Sequence, residues 1–533
     1  MIDRRATTEV PPMLAAVTRL KAILRRDVDQ AAVKSSAMSQ QTDALDTHAS
    51  VPETHGSRSG LKGKIGVSIV SQGLSSFLLL VLTVFLARYL SKHDYGTYQQ
   101  VQMIASTLGV IAVLGAPQAL YYYIPKIKNV RRLVDRTIVL CLLSSICFGL
   151  GFLIFGSRIG AWMNNPDLAR LAYLSFFFLV STVLVSLFEP AFISIGKSNI
   201  YYGLSILFTG MLFASVILPL FISGDIKWIL TFRRATSSSI TLADEKIVKL
   251  REQLAYGIPI ALAFIVGMIG KQIDRFIISA YFTPADFAVY SRGAMERPLI
   301  PSVVYSFSTI LMPRYIALYD AGRKHDVVKL WGESIVYVAL INFPMFMLLY
   351  YLADDLMIML YSANYQGSAQ VLRGFLFLLL IQVTSMGGII RVMGNTKIVT
   401  YLSLLSIGMN ITFGVLLVPI YGVMGPVIAT VASGCAATIY VLLHLRKKLE
   451  VPMKHIWPWK KMGHIFLISL VSCSVFALNV LVPVHVRMVK VCVSSVAFGV
   501  CYLCLAYFSN VIPKDEVWNM ARSIRRKAAC FLG

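Results

Sequence analysis

The chain has 533 residues, 57% of them hydrophobic and only 14% charged, with a mean hydropathy of +0.69. An ordinary soluble domain carries about 25% charged residues, so the composition excludes one, and length cannot be divided into soluble domains. The 50 Lys and Arg against 26 Asp and Glu give a net charge of +24, but the basic residues gather between apolar spans, as the positive-inside rule describes, and not as a nucleic-acid surface.

Residues 1–60 are polar and Ser/Thr/Ala-rich, with at most a short amphipathic helix around 13–26. No apolar core with a cleavage site follows the basic start, so this is not a signal peptide. It reads as a disordered cytoplasmic tail, with membrane-surface contact through Arg19, Lys21, Arg25 and Arg26 as the alternative. Apolar segments long enough to span a bilayer then follow near 65–90, 99–124, 137–156, 171–195, 200–223, 257–282, 298–318, 334–352, 371–393, 399–419, 423–443, 463–483 and 489–511. Pro117, Pro259, Pro344 and Pro426 fall in or near these spans as candidate kinks.

Lys126, Lys128, Arg131, Arg132 and Arg136 crowd one connection, and Arg446, Lys447, Lys448, Lys454, Lys460 and Lys461 another. Residues 91–97 and 364–370, on alternate connections, are nearly free of Lys and Arg, which puts the crowded side and both termini in the cytoplasm. The count conflicts with this around 221–232, where a sixth crossing is needed and about a dozen residues, Asp225 and Lys227 among them, cannot span the core. A truncated sixth helix is the favoured reading. The expected organisation is an N-terminal lobe at 61–232, a cytoplasmic inter-lobe loop at 233–256 and a C-terminal lobe at 257–448. Two extra transmembrane helices at 449–511 and a basic cytoplasmic tail at 512–533 complete it.

Two segments about 190 residues apart echo each other: Tyr89, Asp94 and Tyr98 recur as Tyr281, Asp286 and Tyr290, with Ser91 matched by Thr283. A weaker echo pairs Gly196-Lys197-Ser198-Asn199 with Gly394-Asn395-Thr396-Lys397. Duplicated halves in a strongly apolar chain are a mark of secondary transporters, whose substrate path runs between repeats.

Chemistry is not written into the residues. Cys141, Cys147, Cys435, Cys473, Cys492, Cys501 and Cys504 all fall in apolar spans and read as small hydrophobes, so no disulfide, metal or cofactor is expected. There is no Walker A loop and no nucleophile–base pair, so the chain reads as a carrier and not an enzyme.

The most specific local signature is Asn410 followed by Pro419, Tyr421-Gly422, Gly425, Ala429 and Thr430, read as a helix ending at Pro419, a tight turn and a helix opening on small residues. This pattern resembles the polysaccharide-biosynthesis flippases, the Wzx-like branch of the multidrug/oligosaccharidyl-lipid/polysaccharide exporter superfamily. Arg88 with Asp94-Tyr95-Gly96, Asp274-Arg275 and residues 394–397 add weaker matches; Ala288 stands where glycine is usual. The resemblance covers about residues 61–511. It implies an all-α polytopic membrane protein of about 13–14 transmembrane helices, in two pseudo-symmetric lobes around a central cavity. It also implies a polyprenyl-pyrophosphate-linked oligosaccharide as substrate, moved across the inner membrane for capsule, O-antigen or exopolysaccharide assembly. A polysaccharide polymerase and a chain-length regulator would be protein partners. A cation-coupled small-molecule exporter and a non-transporting scaffold of polysaccharide assembly are the alternatives.

Ionisable residues inside spans are functional candidates by default. Lys271, Asp274 and Arg275 share one helix face and carry net +1, suited to an anionic headgroup, with an internal salt-bridged cluster as the structural alternative. Arg88 is a cavity residue or a snorkelling arginine. Asn410 could bond sugar hydroxyls or a neighbouring helix. Glu189, before Pro190, could carry a coupling proton or satisfy backbone at the kink, and Tyr121-Tyr122-Tyr123 reads as an interfacial aromatic belt.

Overall fold

A computed structural model describes residues 58–124, 130–194, 201–207, 209–210, 250–294, 311, 315–316, 318–319, 321–381, 383, 396–452, 457–477 and 487–509. The two terminal tails, the expected truncated sixth helix, the inter-lobe loop up to residue 249, most of the span at 298–318 and the Gly196–Asn199 echo lie outside the described residues. Those described are helical or in short turns between helices. Among the described residues, seven helical segments are long and apolar enough to cross a membrane: Arg132–Trp162, Ser175–Phe192, Lys324–Tyr361, Tyr401–Tyr421, Met424–Leu449, Trp459–Ala477 and Arg487–Phe508. They coincide with expected spans; Gly73–Tyr89 and Ser368–Ile381 are shorter apolar helices at two further expected positions.

In chain order the main helices are α1 (Arg58–Tyr89), α2 (Lys92–Ala112), α3 (Ala116–Tyr123), α4 (Val130–Trp162), α5 (Ala172–Ser186), α6 (Phe188–Ser194), α7 (Leu250–Tyr281), α8 (Pro284–Gly293), α9 (Lys324–Tyr361), α10 (Ser368–Ile381), α11 (Thr396–Tyr421), α12 (Met424–Leu449), α13 (Trp459–Ser472) and α14 (Arg487–Phe508).

Several boundaries differ from the sequence reading, each for a local reason. The expected loop at 91–97 is almost entirely helix: Ser91 Oγ accepts from the Asp94 amide at 3.1 Å and donates to the Asp94 carboxylate at 2.6 Å, so α2 starts at once. Its repeat does the same. Thr283 and Asp286 form a complete capping box, with the Thr283 hydroxyl 2.6 Å from the Asp286 carboxylate. The echo found in the sequence is therefore a duplicated helix cap. The break near Pro117 is sharper than a kink, because Leu114 and Gly115 both adopt left-handed conformations (φ 51° and 73°) and Pro117 opens α3. Helix α11 does not end at Pro419 but runs to Tyr421, and Gly422 at φ 55° turns the chain. Arg131, Arg132 and Arg136, expected in a connection, lie in the first turns of α4, and Arg446, Lys447 and Lys448 end α12, where cations complement the helix dipole.

The chain divides into two compact units, one of residues 1–83 and 100–268, the other of 84–99 and 269–533. In the first, α2, α3, α4 and α5 bury Ala105, Leu120, Leu133, Cys141, Leu179 and Val183. In the second, Trp331, Ile335 and Val338 of α9 pack with Leu445 of α12 and Ile465 of α13. Adjacent helices α11 and α12 approach closely because Gly425 has no side chain: a Cβ there would lie 2.8 Å from the Leu417 carbonyl carbon and Val418 nitrogen. The two C-terminal helices dock on α9. Lys490 pairs with Asp355 at 2.7 Å, and Tyr351, Phe476 and Phe498 stack nearly parallel, with centroids 3.9 and 5.3 Å apart. Tyr502 also donates to the Leu340 carbonyl at 2.9 Å.

Candidate functional site

Helix α7 is apolar over most of its length and places Lys271, Asp274 and Arg275 on adjacent turns. The structure gives the three different surroundings. Lys271 is exposed, and Asp274 and Arg275 are half-buried. Asp274 turns toward α8, accepting a hydrogen bond from the fully buried Tyr290 hydroxyl at 2.8 Å. Arg275 donates to the Gln272 side chain at 3.5 Å. Among the described residues neither cation forms an ion pair with Asp274 within 4.0 Å. Asp274 thus combines a tyrosine–carboxylate bond, a charge-assisted contact that ties α7 to α8, with the electrostatic attraction of the adjacent Arg275.

The other candidates have protein partners of their own. Arg88 donates to the Leu360 carbonyl at 2.8 Å and to the Met359 carbonyl, capping the C-terminal end of α9 where the helix dipole favours a cation. Asn410, 7% exposed, donates to Ser433 at 2.9 Å and accepts from Thr430 at 3.0 Å, both on α12. That is interhelical bonding of the kind that replaces the missing hydrophobic drive in lipid. Glu189 is exposed and accepts from the Tyr201 hydroxyl at 3.2 Å. None of these three bonds to the Lys271–Arg275 face. Of the tyrosine run, only the side chain of Tyr123 is described, half-buried against the core of the first unit. Among the described residues no three His, Cys, Asp or Glu side chains come together as a metal site.

The sequence reading passed over Arg292, at the end of α8. It is 6% exposed, and its guanidinium lies 5.1 Å from the Tyr95 ring centre and 5.6 Å from that of Tyr361. Tyr365 completes a cage, edge-on to Tyr95 at 6.3 Å and 5.9 Å from Tyr361. Ring faces stabilise a desolvated cation that has no carboxylate partner among the described residues. Burial pushes the Tyr365 phenol up to about 12 although the guanidinium pulls it down, so it stays protonated at physiological pH. Arg292 Nε, Tyr365 Oη and the neighbouring Ser291 Oγ are buried without a hydrogen-bond partner among the described residues. The repeat could have signalled this position: Arg292 follows Tyr290 by the interval that separates Gln100 from Tyr98. Gln100 is also buried, bonding Asn165 at 2.6 Å.

Comparison with known proteins places this architecture. A family model described as polysaccharide biosynthesis protein matches residues 85–370, more than half of the chain. An uncharacterised membrane protein of Methanocaldococcus jannaschii is 24% identical over 432 residues, covering 72% of this chain and 84% of that relative. Among solved structures, the lipid II flippase MurJ in an inward closed conformation superposes with a TM-score of 0.64 at 14% identity, over 84% of this chain and 99% of that one. An inward-facing multidrug resistance transporter of the MATE family and MOP superfamily gives 0.56 at 14% identity, over 70% and 94%. The chain belongs to the polysaccharide biosynthesis protein family and is a multi-pass membrane protein with a transporter fold of the MurJ and MATE kind.

Proposed function

We propose that this protein is a flippase that carries polyprenyl-pyrophosphate-linked oligosaccharide units across the bacterial cytoplasmic membrane for capsule, O-antigen or exopolysaccharide assembly. Both termini face the cytoplasm, and the product passes to a polysaccharide polymerase and a chain-length regulator. One observation carries the reading. The family match spans the helix on which Lys271 and Arg275 stand without an ion pair among the described residues, while Asp274 beside them is engaged by Tyr290. A face on which two cations share one carboxylate, itself bonded by Tyr290, suits a phosphate-bearing lipid better than a cationic drug. Moving two charges across 100 mV involves about 5 kcal/mol, so cationic groups along the path lower a cost that the substrate meets in any case.

In this mechanism Lys271 and Arg275 replace part of the hydration of the pyrophosphate, Asp274 keeps the local charge near +1, and the isoprenoid tail stays in lipid. The test is export of the lipid-linked oligosaccharide by Arg275→Ala at normal membrane levels. A fall of about tenfold or more is expected from loss of one charged contact. Unchanged export removes Arg275 from the binding role.

A further inference from the structure

We propose that the C-terminal pair α13–α14 splints a proline joint in α9, and that the Tyr502 hydroxyl supplies the hydrogen bond that Pro344 takes away. Helix α9 runs from Lys324 to Tyr361 with Pro344 buried inside it. The carbonyl of Leu340 would ordinarily accept from the amide four residues on. That residue is Pro344, which has no N–H and whose ring crowds the same carbonyl. The orphaned oxygen lies in a segment apolar enough to cross a membrane, where water is not at hand to satisfy it.

The partner comes from outside α9. Tyr502 of α14 is 6% exposed, and its hydroxyl donates to the Leu340 carbonyl at 2.9 Å. Its ring sits in a small apolar cluster with Ile468 of α13 and Ala506 of its own helix, which fixes where the hydroxyl points. Phe343, next to the proline, meets Phe466 of α13 edge-on at 5.8 Å. The fully buried Asn342 donates to the Leu379 carbonyl, in the last turn of α10, at 3.1 Å.

Helix α14 also holds α9 beyond the proline. Lys490 pairs with Asp355, and Phe498 stacks on Phe476, just past α13, which stacks in turn on Tyr351. Early residues of α14 therefore meet late residues of α9 and the reverse, so the two run antiparallel and α14 bridges both sides of the interrupted hydrogen-bond ladder. A proline inside a spanning helix is where it bends, and the bend is tolerated when a neighbouring helix satisfies the freed carbonyl. Here a single side chain does so. All of these residues lie in one compact unit, and α13 and α14 lie beyond the region of the family match, which ends at residue 370. The contact makes the added helix pair part of the frame of the second unit.

The test is a double-mutant cycle read by amide hydrogen exchange on the full chain in lipid nanodiscs, and it needs no substrate. Tyr502→Phe keeps the ring and deletes the hydroxyl, while Pro344→Ala returns an amide to the helix. With Pro344 in place, Tyr502→Phe should speed exchange of the α9 peptides around the joint by about three- to fifteenfold, the range set by one interhelical hydrogen bond in lipid. In Pro344→Ala the restored amide serves the Leu340 carbonyl, and adding Tyr502→Phe should change exchange by less than about twofold. Helices α4 and α5 of the first unit should exchange as in the unmodified chain throughout. Equal acceleration in both backgrounds, or none in either, overturns the proposal, because the hydroxyl would then not stand in for the missing amide. Acceleration that spreads to α4 and α5 overturns it as well, as a general loss of stability. If Pro344→Ala does not accumulate, Pro344→Gly, which also restores the amide, takes its place in the cycle.

Discussion

Replacing Tyr290 by Phe tests the bond on which the proposed site is built. The ring of Tyr290 is fully buried and meets Phe375 edge-on at 6.0 Å, so Phe keeps the packing and deletes only the hydroxyl. What is lost is one 2.8 Å hydrogen bond to the Asp274 carboxylate. A hydrogen bond to a charged group contributes about 1.5–3 kcal/mol, so Tyr290→Phe should fall in that range. In detergent this should lower the thermal unfolding midpoint by a few degrees. A second effect follows from helix geometry: once released, Asp274 can turn back to Lys271 three residues away and neutralise it, so export should fall as well. The decisive assay is a double-mutant cycle of Tyr290→Phe with Asp274→Asn, read by thermal unfolding and by export. The two should be non-additive by about 1–2 kcal/mol, as expected for groups in contact. Additivity within about 0.3 kcal/mol would refute the argument, because the hydroxyl and the carboxylate would then be acting independently.

Other variants test the frame around the site. Gly425→Val should be barely detectable in the membrane by immunoblot, since its Cβ would press on the α11 backbone at 2.8 Å, while Gly408→Val, where nothing lies within 4 Å, should accumulate normally. Asp355→Lys and Lys490→Asp should each loosen the C-terminal helices from α9, seen as faster limited proteolysis in that region. The combined charge swap should recover much of the protection, since the pair is partly buried and either charge alone is left uncompensated. The raised phenol of Tyr365 gives a pH prediction with a definite sign. Folding favours its protonated form, so its contribution is complete below about 10 and is lost as pH rises toward about 12; Tyr365→Phe should flatten alkaline unfolding in that window.

Much of the fold is legible in the sequence. Hydropathy placed the helices now seen at 132–162, 324–361, 424–449 and 487–508 because in lipid every backbone group must be satisfied within its own segment, so an apolar run of this length has one outcome. The repeat of Tyr89, Asp94 and Tyr98 was legible too, although its meaning was not: spacing alone cannot distinguish a shared substrate contact from the shared cap now seen at Ser91–Asp94 and Thr283–Asp286. The site was legible only by residue type. Lys271, Asp274 and Arg275 were picked out by their charge, Arg88 and Asn410 likewise by polarity within apolar spans, and the partners of Asp274, Arg88 and Asn410 lay on other helices.

What the sequence determined alone is therefore what depends on neighbours in the chain: helical, membrane-spanning segments, their caps and the duplicated pattern. Tertiary structure decided that Arg88 caps Leu360, that Asn410 is spent on Thr430 and Ser433, that Asp274 turns to Tyr290, and that Tyr95, Tyr361 and Tyr365 enclose Arg292. The physical reason is one of range. Hydropathy and capping act over a few residues, whereas a buried polar group is satisfied by whichever donor, acceptor or ring the packed fold brings to it.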